Sequence, residues 1–233
     1  MRIAIISDVH GNLEALEMAL WILSEKKYDE LVCLGDIVGY GANPNECLTL
    51  IRKNTDHILL GNHDEASLDL AQTDAFNPYA KAAAVWTNDE LTDENKSFLG
   101  KLPYTLELDG VLFVHASPYQ PHEWHYIISP GDARDNFIHF TTQVCFVGHS
   151  HVPAIFSEDV WSKEVVRDKK FIVNVGSVGQ PRDGDPRLSC GLFDTKEWKY
   201  ENIRSEYDVM KASEKIRKAG LPRALADRIL VGR

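Results

Sequence analysis

The 233-residue sequence carries four cysteines and no Cys-x-x-Cys pair, which excludes a disulfide framework and a zinc ribbon. Cys33, Cys145 and Cys190 stand in apolar strand-like runs and Cys47 in a helical pattern, so buried, reduced thiols are expected. Basic residues are in deficit. Lys and Arg number 25 against 35 Asp and Glu, a net charge of −10, and a surface of that sign repels phosphate backbones. General nucleic-acid binding is therefore not expected. No apolar run approaches the ~18–20 residues of a membrane span, and Met1-Arg2 leads into a short apolar run instead of a signal-peptide core. The expectation is a cytoplasmic protein with no membrane association. No Gly-x-x-x-x-Gly-Lys is present, so the glycines form no nucleotide P-loop. No solenoid-period repeat, low-complexity tract or linker interrupts the chain. With 44% hydrophobic and 26% charged residues there is enough apolar material for one sizeable core. Residues 1–233 are read as a single α/β domain, and a homo-oligomer is compatible with this composition.

Periodicity supports that class. Arg2 to Asp8 is a short β-branched apolar run, and after Gly11-Asn12 the residues Leu13, Leu16, Leu20 and Leu23 recur at helical spacing. Leu31 to Leu34 repeats the strand. Asn43-Pro44 opens a second helix carrying Cys47, Leu48 and Ile51, and His57 to Leu60 makes a third strand. The stretch from Glu65 to Lys101 reads as helical, with one helix over Tyr79 to Asn88 and another capped at Thr92. Strands are expected at Thr105–Leu108, Val111–Val114, Val144–Val147, Phe171–Val175, Ser189–Phe193 and Lys199–Ile203. A helical tail runs from about Tyr207 to Val231, broken at Gly220-Leu221-Pro222.

Five apolar strand cores each run directly into metal-competent side chains: Asp8-Val9-His10, Gly35-Asp36, Gly61-Asn62-His63-Asp64, His115-Ala116-Ser117 and Gly148-His149-Ser150-His151. Ligands of α/β sheets bind just beyond the carboxyl ends of the strands, so five such loops can converge. Residues two apart in extended chain address the same side, which lets Asp8 and His10 meet one ion. The imidazoles of His10, His115, His149 and His151, the carboxylates of Asp8 and Asp36 and the amide oxygen of Asn62 exceed what one first-row ion takes. They suit two ions about 3.5–4 Å apart, with Asp36 as the natural bridge. Mixed oxygen and nitrogen ligation without thiolate points to manganese or iron, with zinc, nickel or cobalt as alternatives, and away from calcium. Two divalent ions, two carboxylates and one hydroxide would leave a local charge near +1 in a chain whose own charge is −10. Such a pocket attracts phosphate, activates water and stabilises in-line attack, so phosphate-ester hydrolysis is expected. His63 remains outside the ligand set and is placed to protonate the leaving alkoxide, with Asp64 orienting it. The alternative is a solvent-exposed histidine at a helix N-terminus.

These blocks, in this order, resemble the calcineurin-like metallophosphoesterase superfamily from about residue 2 to 195. The resemblance implies a four-layer αββα sandwich, two mixed sheets flanked by helices, with a dinuclear site at the sheet ends. It implies that one ion takes Asp8, His10, Asp36 and His151 and the other Asp36, Asn62, His115 and His149. Protein phosphatases of this superfamily carry Gly-Asp-x-x-Asp-Arg-Gly, where this chain has Gly35-Asp36-Ile37-Val38-Gly39-Tyr40-Gly41. Gly39 replaces the Asp that supports the acid histidine, and Tyr40 the phosphate-binding Arg, so protein phosphatase activity is not expected. The pattern is more similar to the small prokaryotic branch of phosphodiesterases and phosphoesterases with Gly-Ser-Val-Gly-x-Pro-Arg, here Gly176 to Arg182.

Arg182 has two readings: a bidentate phosphate clamp replacing the missing Arg at Tyr40, or one arginine of a turn cluster in which Arg182 and Arg187 pair with Asp183 and Asp185. His122-Glu123-Trp124-His125 is one residue short of a His-Glu-x-x-His zinc motif and is read as loop. That loop, Pro118 to Ile128, can present His122 and Trp124 to a base or a leaving group, or pack as a rim. His57 and His139 are read as structural. The leading expectation is a two-metal phosphoesterase acting on a phosphodiester or nucleotide-derived substrate. The alternative is a catalytically silent metal-binding scaffold of the same fold.

Overall fold

Period-two alternation divides the side chains of the central strands between two cores. In β1 (Arg2–Ile6), Ile3 and Ile5 enter one apolar cluster and Ala4 and Ile6 another. In β5 (Val111–Val114) and β6 (Val144–Val147), Val111, Phe113, Val144 and Phe146 join the cluster of Ile3 and Ile5, while Leu112, Val114, Cys145 and Val147 face the opposite way. Such continuous apolar runs mark strands covered on both faces. The computed structural model describes residues 1–159 and 164–233.

One sheet of five strands joins β1 with β2 (Glu30–Cys33), β3 (His57–Ile58), β9 (Leu188–Asp194) and β10 (Lys199–Ser205), in the order β10-β9-β1-β2-β3. The other joins β5 and β6 with β4 (Thr105–Leu108), β7 (Ala154–Ser157) and β8 (Phe171–Asn174), in the order β4-β5-β6-β8-β7. The two sheets pack face to face through Ile3, Val32, Phe113, Phe146 and Phe171. Helices α1 (Leu13–Lys26), α2 (Pro44–Asn54), α4 (Pro78–Glu90) and α5 (Asp93–Leu99) bury Leu16, Leu48, Ala83 and Leu99 in the cluster behind the first sheet. Behind the second sheet, α6 (Pro130–Asn136) contributes Ala133 to a third cluster with Phe137 and Phe140. The result is the expected αββα sandwich of two mixed sheets.

β1, β2 and β3 run parallel, as do β5, β6 and β8. Their registers (Ile6 opposite Cys33, Cys33 opposite Ile58, Phe113 opposite Phe146, Phe146 opposite Val173) bring the carboxyl ends level. The helical tail is α7 (Val209–Lys218) and α8 (Arg223–Arg228), interrupted at Gly220 as expected. It docks on α1: Glu14, buried, faces Lys215 at 2.6 Å and Lys211 at 3.1 Å. The amide of Asn12, the cap of α1, donates to the Tyr207 hydroxyl. Among the described residues no helix is long and apolar enough to cross a membrane.

Candidate metal centre

Three of the parallel strands, β1, β2 and β6, run into a loop residue that turns left-handed: Asp8 has φ 54°, Asp36 φ 51° and His149 φ 64°, and His10 and His151 adopt the same region. Asp, Asn and His visit that region more readily than other side-chain-bearing residues, yet each instance still costs about 1–3 kcal/mol and persists only where neighbours enforce it. The enforcement is visible. The amides of Asp8, His10 and Gly11 donate to the carbonyls of Gly35, Asp36 and Ile37, so the β1 and β2 loops continue the ladder beyond the sheet. The His149 amide donates to Asp8 Oδ2 at 3.0 Å, and the Gly179 amide to the Asp8 carbonyl. The β3 loop is locked on the same centre, because the His63 amide donates to Asp36 Oδ1 at 2.8 Å. Gly61 is required by closeness alone: a β-carbon there would lie 2.2 Å from Asp36 Oδ1.

The loops bring all seven candidate ligands together. Asp8, His10, Asp36 and His151 form one buried group and Asp36, His115 and His149 a second, with Asp36 in both. Asn62 Oδ1 joins the second group, 3.3 Å from His115 Nε2. Proton bookkeeping shows what the groups need. Nδ1 of His10 donates to the Val38 carbonyl, that of His115 to Leu34 and that of His151 to Gln180. A carbonyl only accepts, so each neutral ring carries its proton on Nδ1 and presents Nε2 as a bare lone pair. Nε2 of His10 nevertheless sits 3.1 Å from Nε2 of His151, and Asp36 Oδ2 lies 3.7 Å from His10 Nε2 and 3.4 Å from His115 Nε2. Asp36 Oδ2 and His149 Nε2 are buried without a hydrogen bond. Acceptors facing acceptors in a dry interior are costly until a positive charge enters between them, and this donor set fits divalent metal ions.

The titration of three of the four rings agrees. Burial pushes His149 down to about 3 and holds His10 and His151 below the usual histidine range, so these rings are neutral and able to ligate. His115 is the exception. Burial would lower it, but the Asp36 and Asp8 carboxylates outweigh that and raise it to about 9. The histidine neighbours, chiefly His115, keep Asp36 ionised against burial, and His151 does the same for Asp8.

His63 is buried at the first position after Asn62 in the short helix α3 (Asn62–Ala66), not on an exposed helix start. Its ring packs 5.1 Å from His10, 4.4 Å from Tyr40 and 4.8 Å from Phe76. The expectation that Asp64 orients this ring is corrected. Asp64 Oδ1 accepts from the amides of Ile37 and Val38, and Oδ2 from that of Gly61, while His63 Nδ1 has no partner. Asp64 therefore ties the β2 loop to the β3 loop. Burial and Asp36 push its own carboxyl up to about 7. A β-carbon at Gly39, where φ is +84°, would lie 3.0 Å from His63 Nδ1, so the position that lacks an Asp is the one facing the orphaned nitrogen. Burial lowers His63 to about 4, with Arg182 adding to the effect and Asp36 opposing it.

The four candidate substrate contacts fall on two sides. Tyr40 is buried, its ring 4.8 Å from His10, and serves as a wall of the centre. Arg182 lies beside that wall, its guanidinium 5.8 Å from the Tyr40 ring centre, and holds Gln180 Oε1 through Nε and Nη2. The turn-cluster alternative holds in part: Arg187 pairs with Asp185, but Asp183 takes Arg204, and Arg182 has no carboxylate. His122 and Trp124 lie across the centre in a cleft of about 730 Å³ that also has Asn62, Tyr126 and His149 in its lining. Trp124 Nε1 donates to Glu65 and its ring meets His115 edge-on at 5.7 Å, while Tyr126 stacks on His149 at 4.0 Å. His57 pairs with Glu30, and His139 packs on Tyr119 away from the cluster. Sequence reasoning missed Gln180, whose carbonyl sets the His151 tautomer and whose side chain holds Arg182. Its place between Gly179 and Pro181-Arg182 was the available signal. It also missed Glu65 as the anchor of Trp124, for which the sequence carries no local cue.

Known proteins similar to this chain include phosphoesterases. Residues 1–198 match the calcineurin-like phosphoesterase superfamily domain. The chain is 43% identical to an uncharacterized protein of Methanocaldococcus jannaschii over 244 aligned residues, covering 99% of this chain and 98% of that one. It is 28% identical to a symmetrical bis(5′-nucleosyl)-tetraphosphatase of Actinobacillus pleuropneumoniae, covering 75% of this chain and 66% of that one. The crystal structure of a metallophosphoesterase from Sphaerobacter thermophilus superposes with a TM-score of 0.88 at 38% identity, covering 100% and 99% of the two chains. The chain belongs to the calcineurin-like phosphoesterase superfamily and is a metal-dependent phosphoric ester hydrolase.

Proposed function

We propose that the protein is a two-metal phosphoesterase whose substrate is a phosphodiester or another nucleotide-derived ester. The observation that carries this reading is the placement of Asp36 Oδ2, buried, without a hydrogen bond and common to both ligand groups. Asp8, His10, Asp36 and His151 would hold one divalent ion and Asp36, Asn62, His115 and His149 the other, manganese or iron suiting the mixed donors best. Bound there, the pair supplies Lewis-acid chemistry toward a phosphoryl oxygen and a water. The chain's own contribution is positional. Backbone carbonyls of Leu34, Val38 and Gln180 fix the ring orientations of three ligating histidines. His63, which lies outside both groups, faces the leaving oxygen and delivers its proton from the ring. Its Nδ1 has no hydrogen-bond partner, and burial lowers the ring to about 4.

The preference for nucleotide-derived esters rests on the cleft beside Asn62 and His149. Its volume of about 730 Å³ and its lining of Phe76, Tyr104, Trp124 and Tyr126 suit a planar, partly apolar group. The test is turnover of bis(p-nitrophenyl) phosphate by manganese-loaded protein, with and without chelator. Asp36→Asn is expected to lose metal and turnover together. His63→Ala is expected to keep metal and lose rate chiefly on esters with poor leaving groups. A metal-loaded, folded sample inert toward monoesters and diesters alike would overturn the proposal.

A further inference from the structure

The cleft beside the candidate centre differs from an ordinary phosphate pocket in the sign of its charge. Its lining holds two carboxylates, Glu65 and Glu123, and among the described residues that line it there is no lysine or arginine. Its apolar surface comes from Phe76, Tyr104, Trp124 and Tyr126. Where the cleft meets the centre stands His149, whose Nε2 is buried without a hydrogen bond and belongs to the second ligand group. Arg182 is outside the lining and is held on Gln180 Oε1 by Nε and Nη2. A further anion on an ester seated here would meet two like charges and no guanidinium or ammonium to receive it.

The position of Glu65 is built into the fold. It stands on α3 three residues after Asn62 and accepts from two neutral donors, the Tyr104 hydroxyl at 3.0 Å and Trp124 Nε1 at 3.1 Å. Neutral donors leave its charge uncancelled, and two bonds leave lone pairs free for a donor on a ligand. The same bonds hold the two rings 5.7 Å apart, tilted by 50°. Trp124 keeps a left-handed backbone, φ 56°, a conformation that persists only where neighbours enforce it. The cleft also lies on the leaving-group side of the centre. Phe76 lines it and packs on His63 at 4.8 Å, so the ring assigned to protonating the leaving oxygen shares a wall with the cleft.

We propose that this cleft is the leaving-group subsite and that Glu65 and Glu123 make it selective for an aromatic group without negative charge. This rests on the phosphoesterase reading above and narrows it to esters whose only phosphate is the scissile one. Ring faces and carboxylates together favour a cation, so the order of preference is cationic, then neutral, then anionic. A pyrophosphate-bridged ester would set its second phosphate against Glu65 and Glu123 and is selected against.

The test is calorimetric titration of the manganese-loaded full chain, at about pH 8 and so above the range of an ordinary imidazole, with metal content measured after each run. The probes are the para-trimethylammonio, para-acetyl and para-carboxyl derivatives of benzylphosphonate, which resist hydrolysis. Wild type is expected to bind the acetyl compound about tenfold more tightly than the carboxyl compound, the scale of one charge acting across a partly solvated cleft, and the ammonium compound more tightly still. Glu123→Lys is expected to close the gap between acetyl and carboxyl and Glu65→Gln to narrow it, at unchanged metal content. Glu25→Lys, exposed on α1, is expected to leave the gap as in wild type. Should Glu65→Gln not fold, Glu123→Gln is read in its place. Equal affinity for the acetyl and carboxyl compounds in wild type, a gap that survives in the Glu65 and Glu123 variants, or one that Glu25→Lys closes as far as Glu123→Lys does, would overturn the subsite. A gap that closes as expected in a protein without ester turnover would sink the phosphoesterase reading and leave the selective cleft standing.

Discussion

Asp64→Asn separates a carboxylate that orients His63 from one that joins two loops. In the folded chain Oδ1 accepts from the amides of Ile37 at 2.9 Å and Val38 at 3.0 Å, and Oδ2 accepts from Gly61 at 3.1 Å. Asparagine keeps the first two bonds but turns the third acceptor into a donor facing the Gly61 N–H. Leaving one buried donor unsatisfied costs about 1–3 kcal/mol, or a fall in Tm of about 2–12 °C for a chain of this size. Asp64→Ala abandons all three amides and is expected to cost about 3–9 kcal/mol, which approaches the whole stability of a typical domain. Urea unfolding followed by circular dichroism is the assay: the midpoint should fall for Asn at constant m-value. Turnover should fall too, since the joined loops carry Asp36 and Asn62. An Asn variant that unfolds at the wild-type midpoint yet loses turnover on poor leaving groups would refute the loop-joining role and restore the orienting one.

Two further expectations are independent of it. Gly61→Ala drives a β-carbon to within 2.2 Å of the Asp36 backbone nitrogen and Oδ1, so it should lose metal binding and about 3 kcal/mol of stability, measured by elemental analysis and chemical denaturation. Glu14 is lowered from 4.5 by the hydrogen bonds of Lys215 and Lys211 in spite of its burial. A depressed carboxyl stabilises the fold above its unfolded value and ceases to do so as pH falls through its folded value. The midpoint gap between wild type and Glu14→Gln should therefore be full at neutral pH and close on acidification below 4.5. A gap independent of pH would show that the tail is not held on α1 by this charge.

Much of this organisation was readable in advance because it rests on local signals. Apolar runs of the length of Val144 to Val147 with Gly148-His149 behind them specify a buried parallel strand and the side of the sheet where chemistry gathers. Thr92 is a cap in both the sequence and the fold. What escaped was set by tertiary context. β7 at Ala154–Ser157 is a short edge strand, and α6 has a capping box at Ser129 and Asp132 but only seven residues and little apolar periodicity. β1 and β3 end earlier than their apolar runs, because left-handed Asp8 leaves the first ladder and Leu60 bonds the Pro103 carbonyl instead of a strand partner. Within the site, residue types at strand ends identified the seven converging side chains, whereas the partners of Asp64 are backbone amides, which no side-chain pattern encodes.

The central claim is that six donors around Asp36 hold a pair of cations. Anomalous scattering at the manganese edge, from crystals of the full chain grown with Mn²⁺, tests it most directly. The account predicts two peaks about 3.5–4 Å apart on either side of Asp36 Oδ2, one against Nε2 of His10 and His151, the other against Nε2 of His115 and His149. No peak at that carboxylate, or a single ion bound outside both groups, would contradict it.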